Sequence, residues 1–446
     1  MFAGEKMLEI FSDRERLQAL LHFEAALARA SARAGAIPAS AVAAIESKCR
    51  AELFDTEKLG RDAAIAGNLA IPLVKELTAL VARADPAAAS FVHWGATSQD
   101  VIDTGLVLQL RDALDLFEAD LARFASVLAA LARKHKQTPL AGRTWLQHAV
   151  PVTFGLKVAG WFSAVERHRA RVREIRPRVL VVQLGGAAGT LAAFGGKGLE
   201  VARALGEDLK LGIPDLPWHT HRDRIAEAGA TIGLLTGTLG KIARDISLLM
   251  QTEIGEVCEP SAAGRGGSST MPHKRNPIGA AAALSAAVRV PALVSVLFAA
   301  MSQENERGMG NWQAEWETLP EICNLTAGAL GHMMHVVAGL ELDTERMALN
   351  LEATRGQILS ESIVFALSGK IARPQAHELV AQACRQAAEQ RRHLRDILLE
   401  SQQVRAHLSA EDLARLFDPK NYLGLSEALV DRALAAASEN PPSGKK

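Results

Sequence analysis

Two long segments with a helical repeat of apolar residues constrain the fold more than any other feature of the chain. Between Val107 and Leu131, apolar side chains recur at alternating steps of three and four residues, and the same pattern runs from Ile225 to Leu249. This spacing predicts two helices with an a/d stripe, each roughly 40 Å long at about 1.5 Å per residue. Helices of that length normally pack as a bundle, often one shared between subunits.

A third long helix is predicted over the Ala-rich residues 278–300, buried on all sides by its neighbours. The same stretch is the most membrane-like part of the chain, but Arg289 and Pro291 interrupt it and its apolar pieces are too short for a span. The best strand signal is VLVVQL at residues 179–184, followed by glycines. Because GGAAG does not match GxGxxG, we expect a tight packing turn there and not a nucleotide site.

These patterns predict an all-α fold in three consecutive parts. Residues 1–105 have the pattern of short helices separated by loops, and residues 106–345 form the long-helix bundle. Residues 346–446 contain shorter amphipathic helices, and the chain ends in PPSGKK, which predicts a frayed tail.

Composition narrows the classes of partner. Lys plus Arg and Asp plus Glu both number 50, so no overall charge favours nucleic acid or an anionic membrane. The cysteines lie far apart without a CxxC pair or histidines at metal-ligand spacing, which predicts buried thiols in a reducing compartment and no metal site. The N-terminus lacks the apolar run of a signal peptide. We therefore expect a cytoplasmic protein. The four cysteines are Cys49, Cys258, Cys323 and Cys384.

The most informative segment for chemistry is residues 264–277, GRGGSSTMPHKRNP. Its glycines let the backbone bring amides close to a ligand. Ser268 and Ser269 supply hydroxyls, while Lys274 and Asn276 supply a cation and an amide. Such a loop is suited to closing over a carboxylate substrate and excluding water.

A second segment reads HWGATSQDVIDT and precedes the first long helix. Thr97 and Ser98 lie just before a helix predicted to begin near Asp103, and hydroxyls and amides at a helix N-terminus form an anion site. Ser98 taken alone fits a simple N-cap equally well. His93 and Gln99 are further candidate contacts.

A third segment, GRTWLQHAVPVTFG from Gly142 to Gly155, completes a resemblance to the fumarase/aspartase superfamily. The loop resembles the signature GSSxMPxKxNP of that superfamily, and the other two segments resemble its TSxDxxDT and GRTHxQxAxPxTxG regions. The likeness continues from SDRERLQALLHFEAALARA to DPKNYLG and so covers nearly the whole chain. It implies an all-helical fold, no cofactor or metal, and a homotetramer in which each active site takes residues from different subunits.

The resemblance also implies roles for individual residues. Ser268, followed by Ser269, is the implied base that moves the proton alpha to a carboxylate, and its alkoxide needs amides or cations nearby. Lys274 and Asn276 are implied to bind or polarise that carboxylate. His148 is implied either as a site residue or as a histidine satisfied in the core. The other implied ligands and candidate contacts are Thr97, Ser98, Gln99, Arg143, Thr144, Trp145 and Gln147.

Departures from the superfamily pattern indicate which reaction to expect. Trp145 stands where adenylosuccinate lyases carry the histidine that protonates the leaving nitrogen. The run Glu306 to Trp316, ERGMGNWQAEW, lacks the serines and the last arginine of their phosphate-binding segment. A leaving amine needs a general acid, whereas a leaving carboxylate does not, because its conjugate acid has a pKa of about 4. The chain is therefore expected to cleave or form a bond to carboxylate oxygen.

WGATSQD, GRTWLQHAVP and NYLG resemble the 3-carboxy-cis,cis-muconate cycloisomerases of this superfamily. The resemblance implies intramolecular, anti addition of a carboxylate to a double bond, giving 4-carboxymuconolactone in protocatechuate breakdown. Trp145 then forms an aromatic wall over the conjugated substrate. The cationic or amide groups expected for a tricarboxylate are Lys274, Arg143 and the helix start after Thr97, with Arg307 and Arg275 as weaker candidates.

Two alternatives stay open at this point. One is a lyase of the same superfamily that releases fumarate by β-elimination, and Trp145 argues against it because the general acid would have to come from elsewhere. The other is a non-catalytic structural member of the superfamily. The intact GSSTMPHKRNP loop argues against that alternative. Arg143, in turn, serves either as a substrate cation or as a structural tie.

Overall fold

The computed structural model describes residues 2–261 and 266–439, so Gly264 of the predicted loop and the PPSGKK tail lie outside the described residues. The chain forms two compact units, each assembled from three separate stretches. The first unit comprises Met1–Ala122, His168–Gly240 and Ala282–His332, and the second comprises Arg123–Arg167, Lys241–Ala281 and Met333–Lys446. The division into three consecutive domains at residues 105 and 345 stays a prediction.

The chain begins with six helices, of which the second is longer than the short helices expected there. Ser12 caps it by accepting a hydrogen bond from the Glu15 amide at 3.3 Å, and one of its faces is fully buried along its length. The helices are α1 Glu5–Ile10, α2 Asp13–Arg33, α3 Ser40–Glu46, α4 Thr56–Ala66, α5 Ala70–Ala82 and α6 Pro86–Ala89.

Five long helices follow, and both apolar stripes read from the sequence are confirmed as helices. The first begins at Ser98, one turn earlier than expected, because Asp100 accepts the Thr97 amide and so starts the helix. The helices in this part of the chain are α7 Ser98–Lys134, α8 Phe154–Val179, the shorter α9 Gly198–Leu209, α10 Asp223–Leu249, α11 Ile278–Ala299 and α12 Asn311–Ala338.

In the first unit, α10 packs closely against α11 and α12 because small residues line the contact. A Cβ atom at Gly240 would lie 2.5 Å from the Cβ of Ala287, a distance that packed atoms do not reach. On another face of α10, the buried hydroxyls of Thr236 and Thr326 are 2.6 Å apart. Since a larger side chain at either contact would push the helices apart, the small residues set the spacing of the bundle.

Helix α11 departs from expectation. Among the described residues it is the one helix that is long and apolar enough to cross a membrane. Only 28% of its apolar stretch, however, is buried within the chain. Val288 is 78% exposed, and Val296 and Phe298 are also exposed. The prediction that this helix is buried on all sides is therefore wrong for the single chain, because its neighbours cover one face only.

Strands are few among the described residues. A hairpin of β1 Pro139–Thr144 and β2 Gln147–Thr153 and a short antiparallel pair of β3 Val257–Cys258 and β4 Glu341–Leu342 make up the sheets. The strand expected at residues 179–184 is wrong. Helix α8 extends into this segment, and the rest makes a single bridge from Val181 to Gly212, because no longer extended partner lies alongside.

The C-terminal part of the second unit consists of shorter helices, as the sequence predicted. Their apolar faces enclose a core that includes Ile363, Val380 and Leu398. The helices are α13 Thr344–Glu352, α14 Ser360–Ser368, α15 Arg373–Glu389, α16 Leu394–Glu400, α17 Gln402–Arg405, α18 Ala410–Leu416 and α19 Ser426–Glu439. Short 3-10 turns occur at Ala51–Leu53, Ala192–Lys197, Gln357–Leu359 and Pro419–Tyr422.

A buried ion network joins the starts of α7, α10 and α12 in the first unit. The Arg222 guanidinium, 1% exposed, donates to both oxygens of Asp103 at 2.7 and 3.0 Å and to both oxygens of Glu315. The Trp312 indole donates to Asp103 at 3.0 Å. Burial raises the pKa of Glu315, and Arg222 acts in the opposite direction. The network thus fixes three helix ends through one guanidinium.

We predict that Arg222→Leu destabilises the protein by about 3–5 kcal/mol, because two buried carboxylates lose their shared cation. Urea unfolding at one fixed protein concentration measures the loss. The matched control is Arg178→Leu, which removes an exposed arginine paired with Glu227 and should leave the midpoint unchanged within error. Equal effects of the two variants would contradict the stabilising role of the network.

Candidate active site

The start of α7 is held by the carboxylate of Asp100, which is fully buried. Its two oxygens accept the backbone amides of Thr97, Gly185 and Gly186 at 2.9 to 3.0 Å, and the Nε2 atom of His219 lies 2.7 Å away. The glycines that follow the VLVVQL run therefore form the packing turn expected from the sequence, and a carboxylate is its partner. Thr97 and Ser98 therefore lie at a helix start that is held in place by the four groups around the Asp100 carboxylate.

Gln99 has a fully buried side chain. Its amide nitrogen donates to Asp103 at 3.1 Å and to the His219 carbonyl at 2.8 Å, and its amide oxygen accepts from Nε of Arg307 at 3.1 Å. A second guanidinium nitrogen of Arg307 donates to the Ala187 carbonyl. Gln99 therefore holds the partly exposed Arg307 at the start of α7. From the sequence, Arg307 was only a weaker candidate for a cation that binds a substrate carboxylate.

The β1–β2 hairpin carries the third predicted segment, in the second unit. Trp145 and Leu146 form its two-residue turn with φ of +51° and +64°, left-handed values that favour glycine. Trp145 is 98% exposed, and Thr144 and Gln147, which flank the turn, are exposed as well. A strained turn that presents an indole to solvent is a costly arrangement for an isolated chain.

The base of the hairpin is tied to the rest of its unit by an ion pair. Arg143 donates to both oxygens of Glu256 at 3.0 and 2.7 Å, and the buried Glu256 carboxylate also accepts from Asn350 at 2.9 Å. His148 lies opposite Arg143 in the hairpin, and its Nδ1 atom is buried without a hydrogen-bond partner among the described residues. Burial, and to a smaller extent the positive charge of Arg143, lowers the pKa of His148. Arg143 thus has the geometry of a structural tie.

The described part of the Gly-rich loop surrounds a serine hydroxyl with amides. The Oγ atom of Ser268 accepts hydrogen bonds from the backbone amides of Thr270 at 3.3 Å and Met271 at 3.0 Å. Asn276 closes the loop on itself, because its backbone N–H donates to the Gly266 carbonyl at 2.8 Å. The side chain of Lys274 is exposed. Amides that point at an oxygen stabilise negative charge on it, which a serine base requires.

The ends of this loop are fixed by acidic residues. The buried Glu259 carboxylate accepts the first free amides of α11, from Gly279 at 3.0 Å and Ala280 at 2.8 Å. Arg275 forms a bidentate ion pair with Glu341, which lowers the pKa of that carboxyl through hydrogen bonding. Arg275 is therefore engaged in a loop contact, and it is not placed as a free substrate cation.

The predicted site residues are divided between the two units. The first unit brings together Thr97, Ser98 and Gln99 with Asp100 and Arg307. The second unit holds the hairpin residues and the serine loop. The carboxylates of Asp100 and Asp103, which hold the start of α7, were not predicted from the sequence. Both occupy the acidic positions of the TSxDxxDT pattern, which could have indicated them. Within residues 2–261 and 266–439, no group of three or more His, Cys, Asp or Glu side chains is placed to hold a metal ion.

Comparison with known proteins identifies the family. A profile of the lyase family matches residues 2–292, and one of the adenylosuccinate lyase C-terminus matches residues 356–433. The chain is 59% identical to a 3-carboxy-cis,cis-muconate cycloisomerase of Pseudomonas aeruginosa, over 97% of this chain and 95% of that protein. The crystal structure of 3-carboxy-cis,cis-muconate lactonizing enzyme from Pseudomonas putida, 55% identical, superposes with a TM-score of 0.94 over 98% of both chains. The chain belongs to this lyase family, within the fumarase/aspartase superfamily, and the all-α fold predicted from the sequence is confirmed.

We predict that Asp100→Asn destabilises the protein by about 3 kcal/mol, because one amide oxygen cannot accept all four donors that now share two carboxylate oxygens. Urea unfolding measures the stability, and hydrogen exchange should show faster exchange in the peptide that contains Gly185 and Gly186. The matched control is Asp112→Asn, an exposed position of the same helix, which should change neither measurement. Unaltered exchange in the Asp100 variant would disprove the role given to this carboxylate.

Proposed function

We propose that the protein is a 3-carboxy-cis,cis-muconate cycloisomerase. In this reaction one carboxylate of the substrate adds to a double bond of the same molecule, and the carbon alpha to a second carboxylate takes up a proton. The product is 4-carboxymuconolactone, an intermediate of protocatechuate breakdown. The 59% identity over nearly the full length of both chains carries the proposal, and the exposed indole at position 145 agrees with it.

The chemistry explains why an indole is acceptable at that position. In the reverse direction the lactone C–O bond breaks as the alpha proton is removed, and the leaving group is a carboxylate. Because its conjugate acid has a pKa of about 4, the departing oxygen needs no proton. Trp145 occupies the position of the general acid in amine-releasing relatives, and its flat face is suited to cover a conjugated substrate.

Ser268 is proposed to move the proton. In the lactone-forming direction its hydroxyl gives a proton to the alpha carbon and becomes an alkoxide, and in the reverse direction the alkoxide removes that proton. The two amides directed at its Oγ atom support this role, since they stabilise the alkoxide. Ser269, Lys274 and His148 are proposed to assist at the same step.

The substrate carboxylates are proposed to bind at three places. Thr97 and Ser98, at the positive end of α7, take one of them together with Arg307, which Gln99 holds in position. Lys274 and Asn276 polarise the carboxylate next to the reacting carbon. The hairpin supplies the remaining contacts through Thr144, Trp145 and Gln147, and Arg143 holds the base of the hairpin in place through its ion pair with Glu256.

We propose further that the chain acts as a cytoplasmic homotetramer whose active sites combine residues from several subunits. The exposed apolar face of α11, with Val288 and Phe298, supports assembly, because a monomer rarely leaves such a helix uncovered. The strained and exposed turn at Trp145 and Leu146 supports it too, since contact with another subunit would bury that turn.

The direct test is to add purified protein to 3-carboxy-cis,cis-muconate and follow the loss of diene absorbance, with the product identified by NMR. Ser268→Ala should lower kcat by about 10²–10⁴-fold with the fold and assembly retained, because the proton loses its carrier. His273→Ala, which alters an exposed side chain with no proposed role, is the control in the same loop. Absence of turnover in the folded wild-type protein would refute the function, and a search for released fumarate would follow.

Assembly is tested by size-exclusion chromatography with light scattering. The wild-type protein should have four times the mass of the chain. Val288→Glu should shift the population toward smaller species, because it places a charge on the apolar face of α11. Leu199→Glu, at an exposed position of α9, serves as the control. A monomeric wild-type protein with full activity would contradict the shared active site.

A further inference from the structure

Glu24, on α2, is a buried carboxylate without a cation from arginine or lysine among the described residues. It is 1% exposed, and its Oε1 atom lies 2.6 Å from Nδ1 of His93. Its other oxygen, Oε2, is buried and has no hydrogen-bond partner in the described part of the chain. An ionised carboxylate is costly to bury unless a positive charge or a strong donor faces it. The imidazole of His93 is the group placed to provide both.

His93 is held in an unusual conformation four residues before Thr97. Its φ of +56° lies in the left-handed region, which a histidine adopts at a cost. Gly95 has a φ of +74°, and a Cβ atom there would lie 2.6 Å from the ring of Phe194. The segment from His93 to the start of α7 therefore follows one fixed path, and Glu24 fixes the ring at its beginning.

The ring of His93 keeps one nitrogen for a ligand. Its side chain is 16% exposed, and Nε2 has no hydrogen-bond partner within residues 2–261 and 266–439. Because Nδ1 donates to Glu24, a second proton on the ring resides on Nε2 and is available as a charged donor. A carboxylate bound at the N-terminal end of α7 would be a suitable acceptor.

The charges that face the ring come from two helices. Burial acts to lower the pKa of His93, but the carboxylates of Glu24 on α2 and Asp100 on α7 raise it above the ordinary histidine value. Cys49 also lies near Glu24, and burial raises the pKa of its thiol, so it stays neutral and adds no charge. The ring of His93 therefore holds its second proton more strongly than an ordinary histidine does.

We infer that Glu24 is a positioning residue that orients His93 and keeps it as an imidazolium, and that Nε2 of His93 binds one carboxylate of the substrate. The inference rests on the proposed function for the identity of that substrate. It assigns a role to a glutamate that none of the three signature segments contains. His93 becomes a further binding residue beside Thr97 and Ser98.

A dependence on pH follows from the direction of the pKa. The imidazolium is present below the raised pKa of His93 and is lost as the pH rises through it, so KM should increase on the alkaline side. In Glu24→Gln the amide supplies no negative charge, so the pKa of His93 falls and the increase in KM moves to lower pH. A purely structural role for Glu24 would lower the unfolding temperature without moving this profile.

The experiment compares the wild-type protein with Glu24→Gln and with the control Glu352→Gln, which alters an exposed glutamate paired with His393 at 3.3 Å. NMR of protein labelled at histidine Cε1 gives the pKa of His93, one of thirteen histidines, with His93→Gln used to assign its signal. We expect Glu24→Gln to lower this pKa by at least about one pH unit and to raise KM at neutral pH about tenfold with little change in kcat. The control should alter neither value.

An unchanged His93 titration in Glu24→Gln would overturn the positioning role, whether or not the protein turns over the substrate. An unchanged KM in His93→Gln would overturn the binding role. If Glu24→Gln does not fold, the pH profile of KM in His93→Gln is the test of the inference. This profile should be flat over the pH range in which the KM of the wild-type protein rises, and a profile that still rises would overturn the inference. Wild-type protein that shows the expected titration but no turnover would refute the proposed function and leave the Glu24–His93 pairing established.

Discussion

Two buried carboxylates in the first two turns of α7, Asp100 and Asp103, accept hydrogen bonds from donors that are far apart in sequence. Asp100 accepts amides from the turn after α8 and faces His219, while Asp103 shares Arg222 with Glu315 of α12. A buried charge left unpaired costs several kcal/mol, so each partner has essentially one acceptable position. The hydrogen bonds and ion pairs of these two carboxylates therefore fix the start of α7, where we propose that a substrate carboxylate binds.

The arginines near the proposed site fall into two groups, according to whether their partners are buried carboxylates or neutral groups. Arg222 and Arg143 are committed to buried carboxylates and act as ties within their units. Arg307 is held by a neutral amide and a carbonyl, so its positive charge is not cancelled by its partners. An arginine that is oriented by neutral groups stays available to an anionic ligand, and for this reason we propose Arg307, and not Arg222 or Arg143, as a cation for the substrate.

Backbone strain and solvent exposure occur in the segments that we propose to take part in catalysis. The backbone adopts the unfavourable left-handed conformation at Trp145, Leu146 and His93. Such features persist when the surrounding structure supports them and when a ligand or another subunit completes them. The second unit presents its indole outward in the same way that α11 presents its apolar face.

The sequence by itself determined the long helices and supplied the candidate residues of the proposed site. The 3.6-residue repeats predicted α7 and α10, and the signature segments made Ser268, Thr97 and the hairpin candidates for the site, because periodicity and short motifs are local properties. It misjudged the segment at residues 179–184 and the burial of α11, since strand pairing and coverage depend on distant partners. Only the tertiary structure assigned Gln99 to Arg307 and Glu24 to His93. A polar or charged group that is buried on folding needs a hydrogen-bond partner, and that partner often comes from a distant part of the chain. The local sequence does not show which residue the partner will be.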